Sequence, residues 1–342
     1  MIRVGIIGYG YWGPNLARAV AEVDASAVRV IADSSTRALG RAGQRHPSAL
    51  LVSNWHEAVA DPAIDAVIVA TPVSTHYEIA LAALRAGKHV LVEKPMADSP
   101  VKAARLVEEA AKRSLVLMVD HTFVYTGAIR AIRGLMDAGE LGDIYYYDSI
   151  RVNFGLFQRD VNVIWDLAAH DFAIIDYLFK SEPVAISASA AGFLPGSQEN
   201  MAYLSVFFEG GSMAHLNVNW LAPVKVRQTL IGCSRRMVIY DDMQTSEKVK
   251  IYDRGVALGD QAATAHDRRV SYRLGDMWSP ALSPKEALLT EIEQLFDCIE
   301  HGSRPTTDGE SGLRVVEMLA AATSSTVMRG QPVELGALRK AS

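Results

Sequence analysis

Residues 2–7 form a short, β-branched apolar run. It is followed at once by Gly8-Tyr9-Gly10-Tyr11-Trp12-Gly13 and then by apolar residues at helical spacing, Leu16, Ala17, Val20, Ala21 and Val23. Strand, glycine turn and helix in that order open a dinucleotide-binding βαβ unit, and nothing else in the chain restricts its fold as tightly. Each glycine has a mechanical reason to be there. Gly8 makes the tight turn, Gly10 lets the backbone approach a pyrophosphate, and Gly13 lets helix pack on strand. The helix N-terminus offers unpaired N–H groups to the anion, and Pro14 costs little because its missing N–H would be unpaired there anyway. A second apolar strand, 28–32, ends in Asp33, 20 residues after Gly13. An acid there accepts from the adenosine ribose hydroxyls and repels a 2′-phosphate, so NAD is expected ahead of NADP. The alternative for Asp33 is a cap on the following helix, through Ser34 and Ser35. Arg37, just beyond, either stacks on adenine or accepts a 2′-phosphate, which keeps NADP as the second choice. Tyr11, Trp12 and Ser34 complete the expected cofactor lining on this side.

The alternation continues through strands at 50–52, 66–70 and 89–92, with helices around 55–59 and over 77–86, the latter closed by Gly87. The run at 66–70 is apolar throughout, as suits a strand covered on both faces. The expected class is therefore α/β, beginning with a doubly wound parallel sheet. Ligands lie at the carboxyl ends of strands in such sheets, which puts Thr71-Pro72 and Glu93-Lys94-Pro95 on the cofactor rim. His76 either lines the nicotinamide pocket or caps the helix that starts there, and His121, after a strand at 116–119, is a secondary candidate for the same cleft.

From 183 to about 272 the period changes to two, with strands at 202–208, 213–220, 227–231 and 236–240 separated by glycine- and proline-bearing turns. That pattern predicts a C-terminal α/β domain on a large, open, mostly antiparallel sheet. A sheet face carrying Tyr203, Val206, Phe208 or their alternates needs a cover, and a second subunit is the expected one, in a homodimer or homotetramer. Residues 255–280 read as a loop over the active site. The division expected is 1–122 for the dinucleotide and 123–342 for substrate and oligomerisation.

Composition excludes several classes. With 49% hydrophobic and 21% charged residues the chain is globular, and 34 basic against 39 acidic residues, without a basic run, argues against a nucleic-acid partner. Cys233 and Cys298 lack C-x-x-C spacing, so neither zinc, another metal nor a disulfide framework is expected. No run approaches the ~20 apolar residues of a membrane span, and the cytoplasm is the expected compartment.

Two stretches carry candidate chemistry. Residues 163–172 have helical apolar periodicity that stacks Asp166 and His170 on one face at i,i+4, an arrangement suited to general acid–base work. Ahead of them, residues 151–162 read as a polar loop. Its Arg151 and Arg159 are ready forks for a phosphate or carboxylate, with Asn153 and Asn162 as further substrate-binding candidates.

Taken together, GYGYWG at 8–13, ATPVSTH at 70–76, AGKHVLVEKPMA at 86–97, Asp166-x-x-x-His170 and the two-helix tail around PTTDG at 305–309 give the chain a family likeness. Over nearly its whole length it resembles the glucose-fructose oxidoreductase / inositol dehydrogenase (Gfo/Idh/MocA) family. The resemblance implies NAD(P)-dependent hydride transfer to or from a secondary hydroxyl of a sugar, cyclitol or sugar nucleotide. It also implies a Rossmann domain followed by an oligomerising open sheet. By the same resemblance Lys94 contacts both the nicotinamide side and the substrate hydroxyl, His170 is the acid/base and Asp166 orients substrate; whether Lys94 or His170 holds the proton stays open. The segment Arg151-x-Asn153-x-Gly155, then Asp160-x-Asn162-x-x-Trp165-Asp166, is most similar to the branch acting at C3 of UDP-N-acetylglucosamine or its uronate. The alternatives are an inositol or free-sugar dehydrogenase, an NADPH-dependent ketoreductase, or a non-catalytic dinucleotide-binding sensor.

Overall fold

The computed structural model describes residues 2–24, 27–155, 160–194, 198–258 and 270–335. The apolar runs of the first 120 residues become β1 (Val4–Ile7), β2 (Val28–Ala32), β3 (Leu50–Val52), β4 (Ala66–Val69), β5 (His89–Glu93) and β6 (Leu117–Asp120). They pair in parallel in the order β3-β2-β1-β4-β5-β6. Between them run α1 (Gly13–Val23), α2 (Thr36–Arg45), α3 (Trp55–Ala60), α4 (Val73–Arg85) and α5 (Pro100–Arg113). Every residue of β1, β4 and β6 is buried, as expected where helices cover both faces of a sheet. Strand order reverses between β1 and β4, so a crevice opens past their carboxyl ends, at Gly8 and Thr71.

A 3₁₀ turn, Thr122–Tyr125, and α6 (Gly127–Asp137) lead to β7 (Ile144–Phe154). Next come a π-helical turn, Ile164–Ala168, α7 (Ala169–Leu178) and the strands β8 (Pro183–Ala191), β9 (Met201–Phe208), β10 (Met213–Asn219), β11 (Leu221–Cys233), β12 (Met237–Asp241), β13 (Val249–Leu258) and β14 (Val270–Trp278). Helices α8 (Ala287–His301) and α9 (Gly309–Val327) and the short β15 (Val333–Glu334) complete the described chain. The second sheet runs β14-β13-β12-β11-β7-β10-β9-β8-β15, antiparallel throughout except for β10 against β7. Helices α8 and α9 return to pack on both halves: α8 lies on α1, and Gly312 of α9 leaves no room for a side chain beside Val119 and Met96.

Two expectations about this sheet are corrected. Residues 151–154 are not loop: β11, 13 residues long, pairs along β7 as far as Phe154 and draws Arg151 and Asn153 into the strand. In the segment 255–280, residues 255–258 and 270–278 are likewise strand rather than loop, paired as the end of β13 and β14, and 259–269 lie outside the described residues. The two faces of β9 separate cleanly. Ala202, Leu204, Val206 and Phe208 are buried in the core shared with α7 and α9, whereas Tyr203 lies on the open face with Tyr146, Ile150 and Met213.

Candidate active site

The glycine turn is built as its spacing requires. Gly8 has φ +96°, and a Cβ there would lie 2.4 Å from the carbonyl oxygen of Ala70; a Cβ on Gly13 would lie 2.1 Å from that of Gly8. Nothing stands within 4 Å of a Cβ on Gly10, which leaves its backbone open to a ligand. No side chain caps α1; the Asn15 and Leu16 N–H groups donate to the Trp12 carbonyl, and the positive end of the helix is left facing an anion. Asp33 accepts from the Tyr9 N–H at 2.6 Å and from the Ser35 N–H at 2.7 Å, which fixes the carboxylate at the lip of the turn. The cap on α2 is Ser35, whose hydroxyl accepts from the Ala38 N–H. Ser34, Arg37 and Tyr11 are exposed beside this lip. These features fit a dinucleotide: an open backbone and a helix terminus without a side-chain cap for the pyrophosphate, and a fixed acid for the ribose.

Trp12 reaches across the turn and donates its indole N–H to Asp120 at 2.7 Å, tying the glycine loop to the end of β6. His76 fits neither of its expected readings. It lies inside α4, is buried, and contacts the carbonyl oxygens of Pro95 (Nδ1, 2.9 Å) and Thr71 (Nε2, 2.8 Å), so it braces two rim turns instead of lining a pocket. Glu93 accepts from the Lys94 N–H, and its Oε1 is enclosed without a partner. Burial, then the charge of Asp120, raises its carboxyl well above the ordinary range.

Lys94 extends from the end of β5 to the π-helical turn, where its Nζ donates to the Asp166 carbonyl at 2.9 Å and to Asp166 Oδ1 at 3.0 Å. The indole N–H of Trp220 donates to the other carboxylate oxygen at 3.1 Å. Asp166 is thereby held between the two sheets. The local helix is wound as π rather than α, and its Asp166 carbonyl answers a lysine outside the helix. Asn162 stands just before the turn: its Oδ1 accepts from the Trp165 N–H and its Nδ2 donates to Glu199. Each end of that amide makes one hydrogen bond within the protein.

His170, the second residue of α7, packs edge-on against Phe123 with ring centroids 4.9 Å apart. Its Nδ1 is enclosed without a partner, leaving Nε2 as the ring's accessible nitrogen. Burial first, then the positive charges of Lys94, Arg151 and Arg227, lowers its pKa well below that of an ordinary histidine, so the ring is neutral at pH 7. His121 is buried with both ring nitrogens unpartnered, and burial pushes it down to about 4.

Arg151 is not a surface fork. It is 5% exposed, and its Nε donates to Asp171 at 2.8 Å, a carboxylate that also accepts from the Tyr147 and Ser149 hydroxyls. Its guanidinium lies 4.5 Å from the Phe123 ring centre, and that of Arg227 lies 5.4 Å from the same ring. The structure therefore gathers Lys94, Asp166, His170 and Arg151 into one cleft wall. Arg159 lies outside the described residues. Trp220 and Arg227 were missed from sequence, where each reads as one more residue of an alternating strand. Among the described residues no group of histidines, cysteines and acids is arranged to hold a metal, and no helix is long and apolar enough to cross a membrane.

Residues 2–121 match the family model described as an oxidoreductase family, NAD-binding Rossmann fold, and residues 129–239 match that of the GFO/IDH/MocA C-terminal domain. The UDP-N-acetylglucosamine 3-dehydrogenase of Acidithiobacillus ferrooxidans is 29% identical over 316 residues, 92% of this chain and 94% of that protein. Its solved structure superposes with a TM-score of 0.78 at 27% identity, covering 95% and 96% of the two chains. The scyllo-inositol 2-dehydrogenase (NADP(+)) IolW of Bacillus subtilis is 25% identical over 343 residues, 95% of this chain and 94% of that protein.

Proposed function

Because the chain belongs to the Gfo/Idh/MocA family of oxidoreductases, with an NAD-binding Rossmann fold at its N-terminus, we propose that it is an NAD-dependent dehydrogenase of a ring secondary hydroxyl. The substrate in this reading is C3 of a UDP-linked amino sugar or its uronate. The observation that carries it is the Lys94 ammonium 3.0 Å from Asp166, on the same wall as a neutral His170. The likeness to a UDP-N-acetylglucosamine 3-dehydrogenase over 92% of the chain supports the choice of sugar.

The backbone at Gly8, Gly10 and Gly13 and the N-terminus of α1 would hold the pyrophosphate and Asp33 the adenosine ribose, with Thr71, Pro72 and Glu93 forming the rim beside Lys94. Bound NAD supplies the hydride acceptor. The substrate hydroxyl gives its proton to His170 Nε2, its carbon gives up the hydride, and a ketone remains. Lys94 Nζ stabilises the developing alkoxide, and Asp166, gripped by Lys94 and Trp220, orients the ring being oxidised. The open sheet face with Tyr146, Ile150, Tyr203 and Met213 takes a second copy of the chain, in the cytoplasm.

Absorbance of reduced nicotinamide tests this, with stoichiometric enzyme and NAD against UDP-N-acetylhexosamines, their uronates, myo-inositol and glucose. Signal with the UDP-linked compounds alone is expected; signal with free polyols alone moves the protein to the inositol dehydrogenases. Lys94→Met is expected to slow turnover about 10³-fold with NAD still bound. Biological output unchanged in that variant would instead mark a dinucleotide sensor.

A further inference from the structure

We propose that Arg227, backed by Arg151, is an anion hook, and that the reacting sugar carries a carboxylate or phosphate directly on the ring that is oxidised. The inference rests on the dehydrogenase reading for its reaction, but on separate residues for its geometry.

Arg151 of β7 and Arg227 of β11 are direct cross-strand partners on the inner face of the sheet. Like charges directly opposite one another repel, so the pair is costly unless something negative is shared between them. The acids nearby do not fully supply it. Asp166 answers Lys94, and Asp171 answers Arg151. Asp242 has to serve two cations, Arg227 at 3.3 Å and Lys248 at 3.1 Å. Arg227 therefore shares its carboxylate with a second cation.

The donors point the same way. Arg151 Nη1 is enclosed without a partner, while among the described residues Arg227 spends only Nη1, on Asp242, and keeps Nε and Nη2 uncommitted. The Arg227 side chain is 29% exposed against 6% for Arg151, so a ligand meets Arg227 and feels Arg151 behind it. Guanidinium forks bind carboxylate and phosphate alike. Position narrows the choice of anion: Phe123 separates the His170 ring, at 4.9 Å, from the Arg227 guanidinium, at 5.4 Å. Both groups pack against the same phenyl ring, which favours an anion on the reacting ring itself over one at the far end of a nucleotide.

The test uses the NAD-loaded protein, its Arg227→Gln and Arg227→Lys variants, and a matched set of glucose, glucuronate, glucose 1-phosphate, UDP-N-acetylglucosamine and its uronate. Binding is read by calorimetry and turnover by nicotinamide absorbance. The wild type is expected to prefer a ring bearing an anion, glucuronate-type or 1-phosphate-type preference naming the group. Arg227→Gln is expected to reduce the anionic-to-neutral ratio of kcat/KM about 10- to 100-fold, the range for a hydrogen bond to a charged group, and Arg227→Lys to restore part of it. Should the Gln variant fail to fold, the wild-type preference and the Lys variant still decide. No anionic preference in the wild type, no binding of any anionic sugar, or an unchanged ratio in the variants overturns the hook. Turnover without that preference sinks the hook and keeps the dehydrogenase reading; anion-dependent binding without any turnover does the reverse.

Discussion

The two sheets treat charge in opposite ways. At the carboxyl ends of the parallel sheet the expected ligand contacts are made by backbone: a glycine turn in which a Cβ on Gly13 would lie 2.1 Å from the Gly8 carbonyl oxygen, a helix N-terminus without a side-chain cap and, beside them, one acid held by the Tyr9 and Ser35 N–H groups. On the inner face of the nine-stranded sheet the work is done by side chains in ion pairs, Arg151 buried with Asp171 and Arg227 half-buried with Asp242. A backbone cradle tolerates no added atom but carries little desolvation cost, whereas a charged wall tolerates changes of shape and no loss of a partner. The first half should therefore be fragile to volume and the second to charge.

Asp171→Asn is the harshest test of that contrast. It leaves the guanidinium of Arg151 buried without its counter-charge, and a loss of about 3–5 kcal/mol in denaturant unfolding is expected. A loss below about 1 kcal/mol would mean the wall does not depend on paired charge. Gly13→Ala comes next, since its Cβ meets backbone that cannot swing aside: strain of about 1–3 kcal/mol should appear as a 10- to 100-fold weaker NAD titration. Wild-type affinity in that variant would show the cradle to be slack.

The smallest expected effect is on the pH profile of sugar oxidation. A histidine at the ordinary 6.5 loses about threefold of its neutral form between pH 7 and pH 6. The lowered value of His170 keeps the accepting form through that window, so the rate should change less than about twofold and fall only at more acid pH. A threefold loss centred near 6.5 would remove the cations from their place around His170.

The same contrast explains what could be read in advance. Strands buried on both faces announce themselves as apolar runs, and Lys94 is legible as a candidate because it directly follows one of them. Glycines were legible through spacing alone. Asp166 and His170 were found as a pair, but the π turn was not, because the carbonyl that departs from α geometry answers a lysine 72 residues away. Trp220 lies 54 residues from Asp166, and Arg227 meets Arg151 only through the β7–β11 register. Residues that converge through sheet register leave no local pattern. Arg151 was identified as a functional candidate for a loop that proved to be strand, since the partner that extends β7 comes about 70 residues later in the chain.

His76 has one further consequence. Its ring is flat and rigid, and it spans the gap between the carbonyls of Thr71 and Pro95 with a contact of under 3 Å at each end. The separation of two neighbouring turns is thus set by the size of an imidazole, as a gauge block sets the opening of a jaw. Twisting of β4 against β5 can tilt that jaw but cannot close it further than the ring allows.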